Sequence, residues 1–152
     1  MLIKDSFTLD APQAAVWELL QDIPRVSACM PGAQDVQNVS EDAYSGLLKV
    51  KIGPISASFS GQVRIVERSA PVRIVAEIDA QDKSSASLVK AAFSGMLTPD
   101  GDKTRMDYSV EAVLRGKLGQ FGGTVAQATA KKLTTEFAKC LNSLLASSGE
   151  AG

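Results

Sequence analysis

QDIPRVSACMPGAQDV, residues Gln21–Val36, holds two helix-breaking signals within a single short stretch, Pro24 and Met30-Pro31-Gly32. Upstream, Asp10 and Pro12 open a helix, with proline near the first turn, where its missing N–H costs little. Val16, Trp17, Leu19, Leu20 and Ile23 give that helix an apolar stripe. Pro24 disfavours helical geometry at Ile23, so the helix stops or bends there. Val26, Ala28, Cys29 and Met30 suit one further short turn, which Pro31-Gly32 closes before a strand begins. The stretch therefore encodes two short helices set at an angle.

Working outward, Ser6-Phe7-Thr8-Leu9-Asp10 alternates as the end of a first strand. Beyond Val36 the chain alternates again. Tyr44, Gly46, Leu48, Val50 and Ile52 share one face, and Gly53-Pro54 turns the chain. Ile55, Ala57, Phe59, Gly61, Val63 and Ile65 continue that face, with Ser56, Ser58, Ser60, Gln62, Arg64 and Arg68 opposite. Ile74, Ala76 and Ile78 point inward on the next strand, against Arg73, Glu77 and Asp79. Residues 84–98 form another strand whose phase slips near Lys90, predicting a bulge. After Pro99-Asp100-Gly101-Asp102, Met106, Tyr108, Val110, Ala112 and Leu114 face in. The pattern is an antiparallel meander with one wet and one covered face.

The cover comes last. Val125, Ala128, Leu133, Phe137, Cys140, Leu141, Leu144 and Leu145 recur at helical spacing. A helix over about residues 119–146 would be ~40 Å long at 1.5 Å per residue. A single domain over residues 1–146 with a frayed tail at 147–152 is expected. The sheet face beneath the helix carries Gly46, Ala57, Gly61, Ala76 and Ala112. A long helix over a curved face of small residues leaves volume, which an apolar ligand fills unless the helix sinks onto the sheet.

Composition narrows the chemistry. Net charge is −1 without a dense basic run, so no nucleic-acid partner is expected. No apolar run reaches membrane-span length, and Met1–Asp5 lacks the core of a signal peptide. Zero histidines exclude Ser-His and Cys-His dyads and His-ligated metals. Cys29 and Cys140, far apart in sequence, read as free, packing thiols of a cytoplasmic protein, with a disulfide or a metal site as the alternatives. Glu67, Glu77, Asp79, Asp107 and Glu111 phase outward, leaving Lys90 and the inward Tyr44 and Tyr108 as the polar groups a cavity can use. Each tyrosine is either a satisfied core residue or a donor to a ligand carbonyl. Gly116-Lys117-Leu118-Gly119-Gln120-Phe121-Gly122-Gly123 lacks both Rossmann and P-loop spacing and is not a nucleotide loop.

The order strand, two short helices, meander and long helix resembles the helix-grip fold, an α+β architecture whose V of short helices seats one end of the long helix. The local sequence resembles the carbon monoxide dehydrogenase G-subunit (CoxG) family of the START/Bet v 1-like (SRPBCC) superfamily. It does so at Pro12-x-x-x-Val16-Trp17-x-x-Leu20-x-Asp22, Cys29-Met30-Pro31-Gly32, Val50-Lys51-Ile52-Gly53-Pro54-Ile55, Phe59-Ser60-Gly61 and Gly116-Lys117-Leu118-x-x-Phe121-Gly122. The resemblance implies a non-catalytic protein, peripheral to the inner face of the cell membrane, that recruits a molybdenum-containing dehydrogenase and carries a quinone-like lipid. It implies no metal and no cofactor beyond that lipid. Longer members carry a C-terminal extension suited to membrane attachment; with the chain ending at Gly152, transient contact is expected instead.

Val50, Ile52, Phe59, Ile78, Val110, Leu114, Leu118, Phe121, Val125 and Ala128 are the expected cavity lining, with Tyr108 as the polar contact. Ile52, Pro54, Leu118 and Phe121 are expected to form an apolar tip for membrane contact, collared by Lys49, Lys51, Arg115 and Lys117. A polyketide cyclase or hydratase of the same superfamily, using Lys90 or Tyr108, is the alternative. A pure protein adaptor with a filled cavity is the third.

Overall fold

The computed structural model describes residues 1–151, apart from the side chains of residues 121, 122 and 148–151. β1 (Leu2–Leu9) leads into helices α1 (Gln13–Gln21) and α2 (Ile23–Ala28). The strands β2 (Ala33–Ser40), β3 (Ala43–Ile52), β4 (Ile55–Ser69), β5 (Arg73–Asp82), β6 (Ser87–Asp100) and β7 (Lys103–Arg115) follow. A 3-10 turn (Gly116–Phe121) then delivers the chain to α3 (Gly122–Ala151). The seven strands form one antiparallel sheet in the order β1-β7-β6-β5-β4-β3-β2. This is the expected α+β helix-grip fold. α3 runs past Ala146, so the frayed tail predicted from residue 147 is helical to Ala151. Gly152 lies outside the described residues.

The double break works as its sequence requires. Asp22 caps α2 and accepts a 3.4 Å hydrogen bond from the Arg25 N–H, with proline in the first turn. The N-cap of α1 is Pro12, not Asp10, whose backbone N–H instead donates to Asn142 Oδ1 on α3 at 2.8 Å. Gly32 starts β2 at φ +84°, and its carbonyl accepts the Lys49 N–H at 3.0 Å. A Cβ there would lie 2.0 Å from the Lys49 carbonyl oxygen, so only glycine lets the chain leave the V and join β3 so closely.

Two apolar clusters hold the layers together. At the V end, Leu9, Val16, Leu19, Leu20, Leu97 and Met106 pack with Leu141 and Leu145 of α3. At the other end, Ile52, Ala57, Phe59 and Leu118 pack with Val125 near the start of α3. Cys29 and Cys140 are not free thiols: they form a disulfide with Cα atoms 5.3 Å apart. α2 has no buried residue of its own, so the disulfide at its C-cap is its covalent tie to α3. With the two cysteines paired, free thiols no longer point to a reducing compartment.

The bulge expected near Lys90 is absent. β6 pairs without interruption from Leu88 to Asp100 against β7 and from Ser87 to Met96 against β5. Leu88 and Met96 are exposed on its outer face while Ser85 and Ser87 are buried, which mimicked a phase slip. The register shifts lie in β4 between Ile65 and Glu67, and in β2.

Candidate functional site

Register aligns the inward residues into rows across the strands. One row runs Tyr44–Val63–Ile78–Ala91–Ala112, and the next runs Gly46–Gly61–Ala80–Val89–Leu114. Half of these ten positions are glycine or alanine. The rows lie between the two apolar clusters, beneath the stretch of α3 that separates Val125 from Phe137. That stretch turns Ala126, Thr129, Ala130 and Leu133 inward, all half-buried. The small side chains of these rows leave room for a trough between sheet and helix.

Solvent reaches the trough. On the inward face of β4, Phe59 is 5% exposed and Ile65 is 9%, yet Val63 between them is 37% exposed. Tyr44, Gly46, Leu48 and Val50 on β3 are half-buried, as are Ile78, Val89, Ala91 and Val110. An inward apolar residue that water touches borders open volume, and this one opens towards the β2–β3 edge.

The expected lining divides into four groups. Ile78, Val110 and Leu114 line or border the trough. Val50, Ile52, Phe59, Leu118 and Val125 belong to the cluster that closes one end, with Ile52 and Leu118 buried. Ala128 is exposed and off the inward stripe of α3, so it is not a lining residue. The Phe121 side chain lies outside the described residues. Tyr108 is buried against Phe7 and Phe93, and its hydroxyl donates to Thr134 Oγ1 at 3.1 Å. It is a satisfied core tyrosine. Lys90 is exposed on the outer face, paired in register with Asp79 and Val113.

The tip is also corrected. The 52–55 turn and Leu118 do share one end, but Ile52 and Leu118 are 8% and 3% exposed. Pro54 is exposed there, as are Lys49, Lys51, Arg115 and Lys117. Among the described residues the exposed surface there is a basic collar with Pro54 rather than an apolar tip, the Phe121 side chain lying outside them.

Sequence reasoning stopped β5 at Asp79 and so missed a buried acid. Continuing its alternation through Ala80 puts Asp82 inward, and that residue is buried. Ser85 Oγ donates to Asp82 Oδ2 at 2.8 Å, and Ser84 adds its hydroxyl at 2.9 Å and its N–H at 3.2 Å. Ser85 Oγ also lies 2.8 Å from Ser87 Oγ, which accepts the Leu118 N–H at 3.2 Å. The Ser85 hydroxyl holds the carboxyl below its usual range against the opposing effect of burial, helped by Ser84 and the Ser58 backbone. Through Ser85 and Ser87 the bonded carboxylate is part of a staple between the β5–β6 hairpin and the 3-10 turn. Gly116 shares this corner at φ +79°, where a Cβ would lie 1.7 Å from the Ala86 carbonyl oxygen.

No group of His, Cys, Asp and Glu able to hold a metal occurs among the described residues. No described helix is long and apolar enough to cross a membrane. The grip defines a protein of the START-like fold class, with the trough beneath α3 as its candidate ligand site. A START superfamily protein from Mycobacterium smegmatis has the same fold, with a TM-score of 0.68, 11% identity and coverage of 96% of this chain and 97% of that one. The chain belongs to the carbon monoxide dehydrogenase G-subunit (CoxG) family, whose profile matches residues 6–146. A conserved protein from Geobacillus kaustophilus superposes with a TM-score of 0.90 at 22% identity, covering 97% of both chains. The ZhuI aromatase/cyclase from Streptomyces sp. R1128 shares the fold at a TM-score of 0.67 and 14% identity, over 95% of this chain and 93% of that one. No curated protein sequence matches.

Proposed function

We propose that this protein is a non-catalytic carrier that holds an elongated apolar molecule, an isoprenoid quinone first among candidates, in the trough beneath α3. The observation that carries the reading is the exposure of Val63 on the covered face, between buried Phe59 and Ile65 and amid small residues. Apolar, concave sites with few polar groups are the usual setting for such ligands. The family name supports service to carbon monoxide dehydrogenase or a related molybdenum hydroxylase. The basic collar supports transient contact with an anionic membrane at its cytoplasmic face.

Cyclase chemistry has less support, although one structural neighbour is an aromatase/cyclase. Of the two groups it would use, Lys90 is on the outer face and the Tyr108 hydroxyl is engaged by Thr134. The test of the carrier reading is native mass spectrometry and organic extraction of protein purified from its own host. A reproducible prenylated quinone at near one per chain is expected. Lipid-free protein that also binds no added quinone would end the carrier reading.

A further inference from the structure

The sheet presents two inward tyrosines, and the fold treats them differently. Tyr108 is locked against Phe7 and Phe93 with its hydroxyl on Thr134. Tyr44 stands opposite Val63, at the end of the trough nearest the open β2–β3 edge, and is half-buried. Its hydroxyl hydrogen-bonds to no described protein group, and no buried side-chain oxygen or nitrogen among the described residues lacks a partner. The phenol oxygen is therefore within reach of solvent. Its aromatic body covers apolar surface while its O–H remains a free donor, the arrangement that recognises the polar end of an amphiphile.

From this we infer that Tyr44 is the polar recognition residue of the trough and fixes the direction in which the ligand lies. The inference rests on the carrier reading. The ligand's hydrogen-bond acceptor, a carbonyl oxygen, takes the Tyr44 O–H at the β2–β3 edge. Its apolar remainder passes over Val63, Ile78 and Ala91 towards Ala112. On the sheet, an acceptor at the other end of the row would meet Ala91, Ala112, Val89 and Leu114, whose side chains donate no hydrogen bond to replace its hydration. The trough thus discriminates between two molecules of equal length and girth when one carries a carbonyl at its end.

The experiment uses a matched pair of probes, a decyl-substituted benzoquinone and decylbenzene, titrated into the full chain. Wild type is expected to bind the quinone more tightly. Tyr44→Phe should weaken the quinone about fivefold, the loss of one neutral hydrogen bond, and leave decylbenzene unchanged. Tyr108→Phe, the same change at the other inward tyrosine, should keep the preference. In wild-type protein labelled with 3-fluorotyrosine, which has two tyrosines, the Tyr44 fluorine resonance should move with quinone while that of Tyr108 stays. A quinone preference that survives in Tyr44→Phe, or a Tyr44 resonance that ignores bound quinone, overturns this inference and leaves the carrier reading standing. Binding of neither probe by wild type removes both.

Discussion

Tyr108 on β7 donates a 3.1 Å hydrogen bond to Thr134 Oγ1 on α3, and Thr134 in turn bonds the Ala130 carbonyl at 2.9 Å. This link fixes the height of the long helix above the sheet where the V-end cluster gives way to the trough. Tyr108→Phe leaves Thr134 its backbone bond and removes only the link. A loss of about 0.5–1.5 kcal/mol by urea denaturation is expected, with ligand affinity unchanged. A large drop in affinity at full stability would instead place the Tyr108 hydroxyl on the ligand.

The Cys29–Cys140 disulfide closes a separation of 111 residues and joins a helix without buried residues to the main helix. Reduction, or Cys29→Ser with Cys140→Ser, should lower stability by about 2–5 kcal/mol, as for other native disulfides over long loops. Thiol titration of protein purified without reductant should find no reactive cysteine. Two reactive thiols under those conditions would show the bond does not form.

Asp82 gives a pH dependence of known sign. Its carboxyl is held below the ordinary value of about 3.9, chiefly by the Ser85 hydroxyl, so the folded state favours the ionised form. The resulting stability is fully present above that ordinary value and is lost as pH falls through the depressed one. Asp82→Asn should therefore be less stable than wild type at pH 7. The gap between the two melting temperatures should narrow once pH drops below about 4. Parallel curves from pH 7 to pH 3 would mean Asp82 is not preferentially ionised in the fold.

The basic collar makes any membrane contact electrostatic. With Ile52 and Leu118 buried, Lys49, Lys51, Arg115 and Lys117 supply the attraction, each worth about 1 kcal/mol or less near an anionic surface. Co-sedimentation should require anionic vesicles and fall steeply with salt. Lys51→Glu with Lys117→Glu should abolish it, whereas Pro54→Ser should change it little. Binding that persists on neutral vesicles would contradict this.

Much of the fold was legible because one face of each of the strands β3 to β7 is covered. Period-two alternation on β3, β4 and β7 placed Val50, Phe59 and Ala112 on the correct side, and Pro24 with Pro31 marked the V. The features that were not legible have physical reasons. β6 carries Leu88 and Met96 outward and Ser87 inward, with Ser85 buried in the turn before it, because a polar staple occupies one end of the covered face. The same staple buries Asp82, a charge that local hydrophobicity assigns to solvent. Ala128 is small enough to suit either side of a helix, so spacing alone could not place it. The disulfide depends on where the V meets α3, a tertiary fact that two distant cysteines do not announce.

The trough itself can be separated from a face on which the helix simply rests. Ala91 lies in the open row between Ile78 and Ala112 and is half-buried, whereas Ala76 lies opposite Ile65 and Phe93 and is 6% exposed. A leucine at Ala76 has no free space to occupy, so overpacking should cost about 1–3 kcal/mol. A leucine at Ala91 enters volume that water already reaches. It should leave stability unchanged or raise it by about 1 kcal/mol through added apolar burial. The same side chain would then stand where the ligand's body must pass, so Ala91→Leu should lose quinone binding by at least tenfold. Ala76→Leu, where it folds, should retain it. Equal destabilisation by both leucines would show that α3 packs directly on both rows and that no trough exists.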